Sequence, residues 1–171
     1  THRYSSAASD VYKRQGGGFP VGAMITKKSL MNKFQKNPIL GHITTFGGHP
    51  VIAAAGFKSL SIILKERLSE KTLDKERLFR SLLKHPYIQE IRGKGLMIAL
   101  ILKNEKLANQ LVLKSLDNGL ILFWLLYEKK AVRITPPLNI SKTEIKKGCK
   151  IILSILNSCL LYTSPSPRDI S

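Results

Sequence analysis

The segment Gly41 to Pro50, GHITTFGGHP, combines two side-chain hydroxyls with the glycine pair Gly47-Gly48, directly ahead of a proline that can begin a helix. Hydroxyls donate hydrogen bonds to anionic oxygens, and the free backbone N–H groups at a glycine-rich helix N-terminus attract negative charge. Thr44, Thr45 and the glycine pair therefore predict a cradle for a phosphate group. Taken alone, the segment fits equally well a turn with threonine caps.

A glycine triplet, Gly16 to Gly18, precedes Phe19-Pro20, and Lys13 lies three residues upstream of it. Glycines have no Cβ, so a backbone built from them can approach a small molecule closely. A lysine amine can attack a carbonyl group, which makes Lys13 a candidate chemical group. Glycine triplets also occur in ordinary turns, so this motif is weak by itself.

Composition places the chain among folded globular proteins, since 43% of its 171 residues are hydrophobic. The net charge of +17 would suit a nucleic-acid partner, but the lysines are dispersed and are not interleaved with aromatic residues. A solvated lysine-rich surface is therefore favoured, and a basic RNA-binding module remains the alternative. No signal peptide, bilayer-length apolar run or disulfide framework is recognisable, so we expect a cytoplasmic protein without a membrane partner.

The elements that must position these groups follow from hydrophobic periodicity. Residues 19–25 predict a short strand, and Pro50 predicts the first turn of a helix whose apolar segment 52–56 should be buried. An apolar stripe over 78–83 predicts a second helix or a continuation of the first, and 96–102 predicts a strand after a Gly-x-Gly bend.

The remaining pattern predicts a further helix, two strands and a final helix. This helix is expected over a segment that ends at Asn118-Gly119. Its inner face is formed by Ala108, Leu111, Val112 and Ser115. The two strands are expected at 120–126 and 131–135, with a charged turn at 128–130 between them. A capping box, Ser141 with Glu144, opens the final helix. On its apolar stripe Cys149 is expected to be a core residue rather than a nucleophile. Alternating helices and strands indicate an α/β or α+β fold.

Four motifs together carry more information than any of them alone. In order, GGGFPVGAMI, GHITTFGGHPVIAAAG, IRGKGLMIAL and VRITPPLNIS resemble the class III pyridoxal-phosphate-dependent aminotransferases, especially the acetylornithine and ornithine branch, over essentially all of Gly16 to Leu156. The resemblance implies an α/β protein of the pyridoxal-phosphate-dependent transferase fold type I. The chain would comprise the end of its large domain and its α+β C-terminal small domain. It also implies a homodimer with pyridoxal 5'-phosphate bound at the subunit interface.

The resemblance assigns roles to individual residues. Thr44 and Thr45 would bind the cofactor phosphate of the neighbouring subunit, Thr45 more consistently, because Ile43-Thr44 departs from the usual Gly-Ser. Arg133 would bind a substrate carboxylate, for which a guanidinium has matching bidentate geometry; the alternative is a surface salt bridge. The family gives acid/base chemistry to the lysine, so His42 and His49 are expected to be supporting or turn residues.

Three further residues have weaker assignments. Arg92 is expected to be structural rather than a ligand, as is common at this position in the family. Phe123 and Trp124 are expected to pack in the core, although lining the substrate entrance remains open.

The two ends resemble foreign sequence. Back-translated, residues 5–15 and 159–169 resemble the two adapters of a transposase-type sequencing method, so we predict non-native tails at 1–15 and 159–171. The native part would then divide into a large-domain part, 16–84, and a small domain, 85–158. Lys13 has the family offset for the Schiff-base lysine, but Arg14-Gln15 departs from the family pattern. The lysine is therefore expected just before Gly16 in the parent protein, and the fragment is expected to be inactive.

The implied reaction moves an amino group from an ornithine-like or acetylornithine-like ω-amine to a 2-oxo acid. Other class III specificities, for 4-aminobutyrate or an aspartate-like donor, remain open because donor-specific residues belong to the missing first half.

Overall fold

A computed structural model of the protein describes residues 18–22, 25–35 and 45–161, with side chains described up to residue 159. Lys13, His42 and Thr44 lie outside the described residues. The chain divides into two compact units, 1–67 and 68–171, which are described separately. The domain boundaries inferred from the sequence remain a prediction.

The first unit contains helix α1 (Lys28–Met31), a 3-10 turn (Asn32–Gln35) and helix α2 (Pro50–Lys65). Pro50 occupies the first turn of α2, as predicted. The strand predicted for 19–25 is wrong: Phe19 forms one isolated bridge, and the described residues after it are not in a strand. Pro20 has no N–H to donate to a ladder, and glycine weakens a strand interior, which explains the failure.

The apolar first half of α2 is not buried, contrary to the prediction. No residue of α2 is fully buried, and Ala53 and Ala54 within this first half are exposed. Further along the helix the exposed fraction reaches 75% at Phe57 and 66% at Leu64. A single helical turn and a 3-10 turn are the other described helical elements of this unit, and they offer too little surface to cover 16 residues. The sequence correctly indicated an apolar helix, but what covers it is not among the described residues of its unit.

The second unit is an antiparallel four-stranded sheet with three helices. Its strands have the order β1-β2-β4-β3. In chain order the elements are α3 (Thr72–Leu82), β1 (Ile88–Lys94), β2 (Met97–Leu102), α4 (Glu105–Asp117), β3 (Phe123–Leu125), β4 (Glu128–Ile134) and α5 (Lys142–Leu161).

The sheet differs from the prediction in two places. The sequence showed β2 but not β1, because this edge strand carries polar residues without a clear alternation and is mostly exposed. The charged segment 128–130 is not the turn between the last two strands. It begins β4, and the chain reverses at Leu126-Tyr127, whose side chains are 91% and 99% exposed. Leucine and tyrosine are not typical turn residues, so the sequence did not indicate a turn at this position.

One hydrophobic core joins the sheet to the helices of the second unit. The predicted inner face of α4 is buried throughout, and strand residues such as Leu100 and Val132 are fully buried against it. Cys149 is 2% exposed, and burial raises the pKa of its thiol to about 11. Its predicted core role is therefore confirmed, since a neutral buried thiol is a poor nucleophile.

The helix ends also agree with the sequence. The Ser141 hydroxyl accepts a hydrogen bond from the Glu144 N–H at 3.1 Å, and the Glu144 carboxylate accepts one from the Ser141 N–H at 2.7 Å. This reciprocal pair is the predicted capping box. Gly119 follows α4 with a φ of +71°, the left-handed conformation expected of a helix terminator.

An ionic clip fastens the β1–β2 turn to α3. Glu76 accepts a hydrogen bond from the Gly95 N–H at 2.5 Å and pairs with the Arg80 Nε at 2.8 Å. Arg80 in turn donates to the carbonyls of Ile91 and Gly93 at 2.6 and 3.0 Å. The end of β1 ahead of this turn needs glycine, because a Cβ on Gly93 would lie 2.1 Å from a backbone oxygen. Three backbone groups of the hairpin are therefore bonded to two side chains of one helix.

We predict that Glu76→Gln lowers the free energy of unfolding by about 1 kcal/mol at pH 7, since hydrogen bonds to a charged group are lost. The Gly95 N–H, and then Arg80, hold the pKa of Glu76 below its ordinary value of 4.5. A depressed folded-state pKa stabilises the protein above the unfolded-state pKa, and this stabilisation is lost as the pH falls through the folded-state value. Urea unfolding from pH 7 downward should therefore show the difference from wild type shrinking below pH 4.5.

Glu105→Gln is the matched control, because the Glu105 carboxylate is 52% exposed and lies 3.8 Å from the Lys129 Nζ. An exposed pair of this kind should contribute little at either pH. If the difference in the free energy of unfolding between Glu76→Gln and wild type stays constant from pH 7 to pH 2, the ionised Glu76 carboxylate does not stabilise the fold.

Candidate active site

The predicted phosphate cradle lies in a cleft of about 400 Å³ within the first unit. Two segments line it: Pro20 to Gly22, which follows the glycine triplet, and Thr45 to Ala53 with the start of α2. Thr45 is exposed at this cleft. The structure thus brings together two of the motifs that were quoted separately from the sequence.

Backbone geometry leaves this cleft able to accept an anion. The His49 N–H donates to the Phe46 carbonyl at 3.2 Å, which closes a turn ahead of α2. Gly48 adopts a φ of +73°, with no atom within 4 Å of where its Cβ would be. His49, the N-cap residue of α2, makes no capping hydrogen bond within the described residues, so the N–H groups that follow Pro50 can be offered to a ligand oxygen.

His49 is the only one of the two predicted supporting histidines within the described residues. Its imidazole is exposed and packs at a tilt against the Phe46 ring, with centroids 6.4 Å apart. His49 also ends the turn and precedes Pro50. The geometry is that of a turn residue, as the sequence predicted.

The candidate carboxylate site lies in the second unit, where Arg133 projects from β4. Arg133 pairs with Ala99 of β2 on one side and with Phe123 of β3 on the other. Arg133 and Phe123 line a cavity of about 120 Å³ together with apolar residues such as Ile140 and Ile152. A cation at the wall of a mainly apolar cavity is suited to bind an anion that carries a hydrocarbon chain.

The Arg133 guanidinium has an aromatic neighbour and a buried nitrogen without a partner. Its Cζ lies 5.1 Å from the centroid of the Phe123 ring. Its Nε is buried and makes no hydrogen bond within the described part of the chain. The alternative of a surface salt bridge is not supported, since the ion pairs found among the described residues involve other arginines and lysines.

Glu144 is the acidic residue in the lining of the same cavity. Its carboxylate is engaged by the Ser141 side chain and N–H, which lower the pKa of Glu144 below its ordinary value. The capping box thus keeps this carboxylate ionised and occupied at the start of α5. The charge of Arg133 remains available for another anion.

Phe123 and Trp124 do not pack in the core as predicted, since they are 48% and 46% exposed. They belong to a three-residue edge strand, which has a neighbour on one side only. The Trp124 Nε1 donates to the Asn109 Oδ1 at 2.8 Å, so its indole is tied to α4. Sequence reasoning missed the contact between Phe123 and Arg133 because it placed the turn between their strands at 128–130, which shifts the pairing.

Arg92 does not line the cavity that contains Arg133. It lies on edge strand β1, half exposed, with its Nε 2.8 Å from Glu90. The arginine that supports the neighbouring turn is Arg80, which sequence reasoning did not single out. An arginine one helical turn after Glu76 on α3 was the available signal, since such pairs lie on the same helix face.

Two negative findings apply to the described residues only. No group of three or more histidine, cysteine, aspartate or glutamate side chains is arranged to hold a metal ion in the described ranges. Within the same part of the chain, no helix has both the length and the apolarity needed to cross a bilayer.

Comparison with known proteins places these features in one family. The family model described as aminotransferase class-III matches residues 6–156, a range that begins inside the segment predicted to be non-native. The acetylornithine aminotransferase of Caldanaerobacter subterraneus subsp. tengcongensis is 35% identical over 150 residues, which are 85% of this chain and 36% of that protein. The ornithine aminotransferase of Plasmodium chabaudi chabaudi is 36% identical over 146 residues, 81% and 34% of the two chains.

Solved structures agree with these relatives. The acetylornithine aminotransferase of Elizabethkingia anophelis superposes with a TM-score of 0.74 at 29% identity, covering 84% of this chain and 38% of that one. The ornithine aminotransferase of Toxoplasma gondii ME49 gives a TM-score of 0.76 at 25% identity, covering 88% and 36%. The predicted fold class is therefore confirmed. The chain spans about a third of the length of the relatives it matches.

We predict that Gly148→Ala raises the free energy of unfolding by about 1 kcal/mol, because alanine is the better helix former. Gly148 lies within α5 at the wall of the cavity with Arg133, and a Cβ there would be 3.8 Å from Leu120, an ordinary contact. Thermal or urea unfolding measures the effect.

The control is Gly119→Ala, where the φ of +71° is strained for alanine although the space is open. It should lower the free energy of unfolding by a similar amount. If Gly148→Ala also destabilises, the wall of the cavity is tighter than the structure shows.

Proposed function

Since the chain belongs to the class III aminotransferases, we propose that the full-length protein transfers an amino group from an amino acid to a 2-oxo acid with pyridoxal 5'-phosphate as cofactor. The proposed donor is an ω-amine of the ornithine or acetylornithine kind. The relatives named above carry these activities in their names and give the RNA-binding alternative no support. Donors such as 4-aminobutyrate are the competing specificity within the family.

The proposal rests on the surroundings and the hydrogen bonding of the Arg133 side chain. It lines a cavity, its buried Nε has no hydrogen-bond partner among the described residues, and it forms no ion pair with a described carboxylate. A guanidinium presents parallel N–H donors that match the two oxygens of a planar carboxylate. Both substrates of an aminotransferase carry such a group. Arg133 would therefore fix the amino acid and the 2-oxo acid in turn.

The residues of the cleft at α2 fit the proposed role of binding the phosphate of the cofactor in the neighbouring subunit. The Thr45 hydroxyl can donate to a phosphate oxygen, and the uncapped first turn of α2 can supply backbone N–H groups. The open space beside Gly48 leaves room for the phosphate oxygens. When bound, pyridoxal phosphate supplies an electron sink for proton removal from the substrate carbon. The protein would contribute anchoring and orientation, with Thr44 in a secondary role.

The assembly proposed is a cytoplasmic homodimer with the cofactor at the subunit interface, without a nucleic-acid or membrane partner. The exposed apolar residues of α2, such as Phe57 and Leu64, support a larger assembly, because surface of this kind is normally covered. The reactive lysine is proposed to lie just before Gly16 in the parent protein. Lys13 belongs to the segment predicted to be non-native, so the 171-residue chain itself is expected to be inactive.

We predict that a full-length version binds pyridoxal phosphate and shows the visible absorption of a cofactor joined to a lysine. Thr45→Val removes a hydroxyl without changing the shape of the side chain, so the dissociation constant of the cofactor should rise about tenfold. Titration of the apoenzyme, followed by absorption, gives the constant.

Thr72→Val is the control, since Thr72 belongs to the second unit and its hydroxyl donates to the Ser69 carbonyl before α3. It should leave the dissociation constant within twofold of wild type. Absence of the cofactor band, combined with salt-sensitive RNA binding, would overturn the enzyme proposal.

We predict that Arg133→Met in the full-length protein lowers kcat/KM about 100-fold for both the amino donor and the 2-oxo acid. The variant keeps the length of the side chain but loses two charge-assisted hydrogen bonds to the substrate carboxylate. Steady-state kinetics with each substrate in turn measure the effect. Arg92→Met, at the exposed pair with Glu90, should change kcat/KM less than twofold. Equal effects of the two substitutions would contradict the role of Arg133.

A further inference from the structure

Phe123 and Arg133 are direct partners across the pair β3–β4. Direct cross-strand partners project from the same face of a sheet, so their side chains meet. The guanidinium lies over the ring, with 5.1 Å between the Cζ and the ring centroid. This distance is within the range in which a cation is attracted by an aromatic face.

The aromatic partner leaves the hydrogen-bonding groups of Arg133 unused. A glutamate or aspartate at the same position would hold the guanidinium as well, but it would occupy the parallel N–H donors that a substrate carboxylate needs. An aromatic face attracts the cation through its ring quadrupole and accepts none of those hydrogen bonds. The unpartnered Nε agrees with this arrangement.

The residues that line the cavity agree with this role of Phe123. Phe123 and Arg133 both line it, and Glu144 in that lining is held by Ser141. Phe123 is 48% exposed, so its ring is not fixed by complete burial in the core and still has an open side. An entering ligand would meet a charged group presented beside an apolar ring.

We propose that Phe123 is a positioning residue, which holds the guanidinium of Arg133 in place so that its N–H donors face a carboxylate ligand. The ligand class is a carboxylate with an aliphatic chain, whose carbons contact the apolar lining of the cavity. The inference rests on the carboxylate role proposed for Arg133 and adds the group that orients it.

The test uses the full-length protein with ¹⁵N-labelled arginine and glutarate as the probe. In wild type the Arg133 Nε–H resonance should carry the ring-current shift of Phe123. Phe123→Leu should lose that shift and bind glutarate about fivefold more weakly, whereas Phe123→Tyr, which keeps the ring, should retain both properties within twofold. Amide spectra and thermal unfolding establish that each variant is folded.

Trp124→Leu is the matched control. Trp124 is the next residue of β3 and is similarly exposed, but successive strand residues point to opposite faces, and its indole is bonded to Asn109. Removing it should leave the Arg133 resonance and the affinity for glutarate unchanged. If Trp124→Leu reproduces the effects of Phe123→Leu, the edge strand as a whole is responsible, and the specific role of Phe123 is wrong.

Arg133→Met separates this inference from the proposed function. Loss of glutarate binding in Arg133→Met, with normal binding in Phe123→Leu, would overturn the positioning role and leave the carboxylate role intact. Unchanged glutarate binding in Arg133→Met would overturn both. Weakened binding in Phe123→Leu, rescued in Phe123→Tyr, would support the inference.

Discussion

The register of β4 between its two neighbours determines where the second unit presents Arg133. Arg133 is aligned with Ala99 of β2 and Phe123 of β3, while the adjacent Val132 is aligned with Leu100 and Trp124. Because side chains alternate between the faces of a sheet, a shift of one residue would exchange the charged group with the fully buried Val132. Such a shift would place an arginine in the hydrophobic core, which is energetically prohibitive. Core packing therefore specifies where the cation lies.

The same register connects distant parts of the chain. The clip of Glu76 and Arg80 holds the β1–β2 turn, β2 carries the alignment to β4, and β4 presents Arg133. Each connection is made by backbone pairing or by side chains that bind backbone atoms, so the backbone position of Arg133 depends little on flexible side-chain contacts. A site on paired strands is more rigid than one on loops, which suits the carboxylate-binding role proposed for Arg133.

The sequence correctly predicted those features whose residues lie close together within one helix or strand. The inner face of α4, the capping box at Ser141 and the core position of Cys149 follow from spacing within one element, and the structure confirms them. The four motifs and their order predicted the family. The phosphate role of Thr45 and the carboxylate role of Arg133 came from that resemblance and remain proposals.

The errors concern features that depend on other parts of the chain. Strand β1 exists because β2 pairs with it, although its own residues are polar and exposed. The contact between Phe123 and Arg133 requires the correct turn, which lies at two exposed hydrophobic residues without glycine or proline. For α2, periodicity showed that the helix is apolar but not what covers it.

The exposed apolar side of α2 also affects how the protein behaves in solution. A net charge of +17 keeps copies apart at low ionic strength, but the screening length falls to about 8 Å at physiological salt. Added salt should thus weaken the repulsion and favour self-association through the face that carries Phe57 and Leu64.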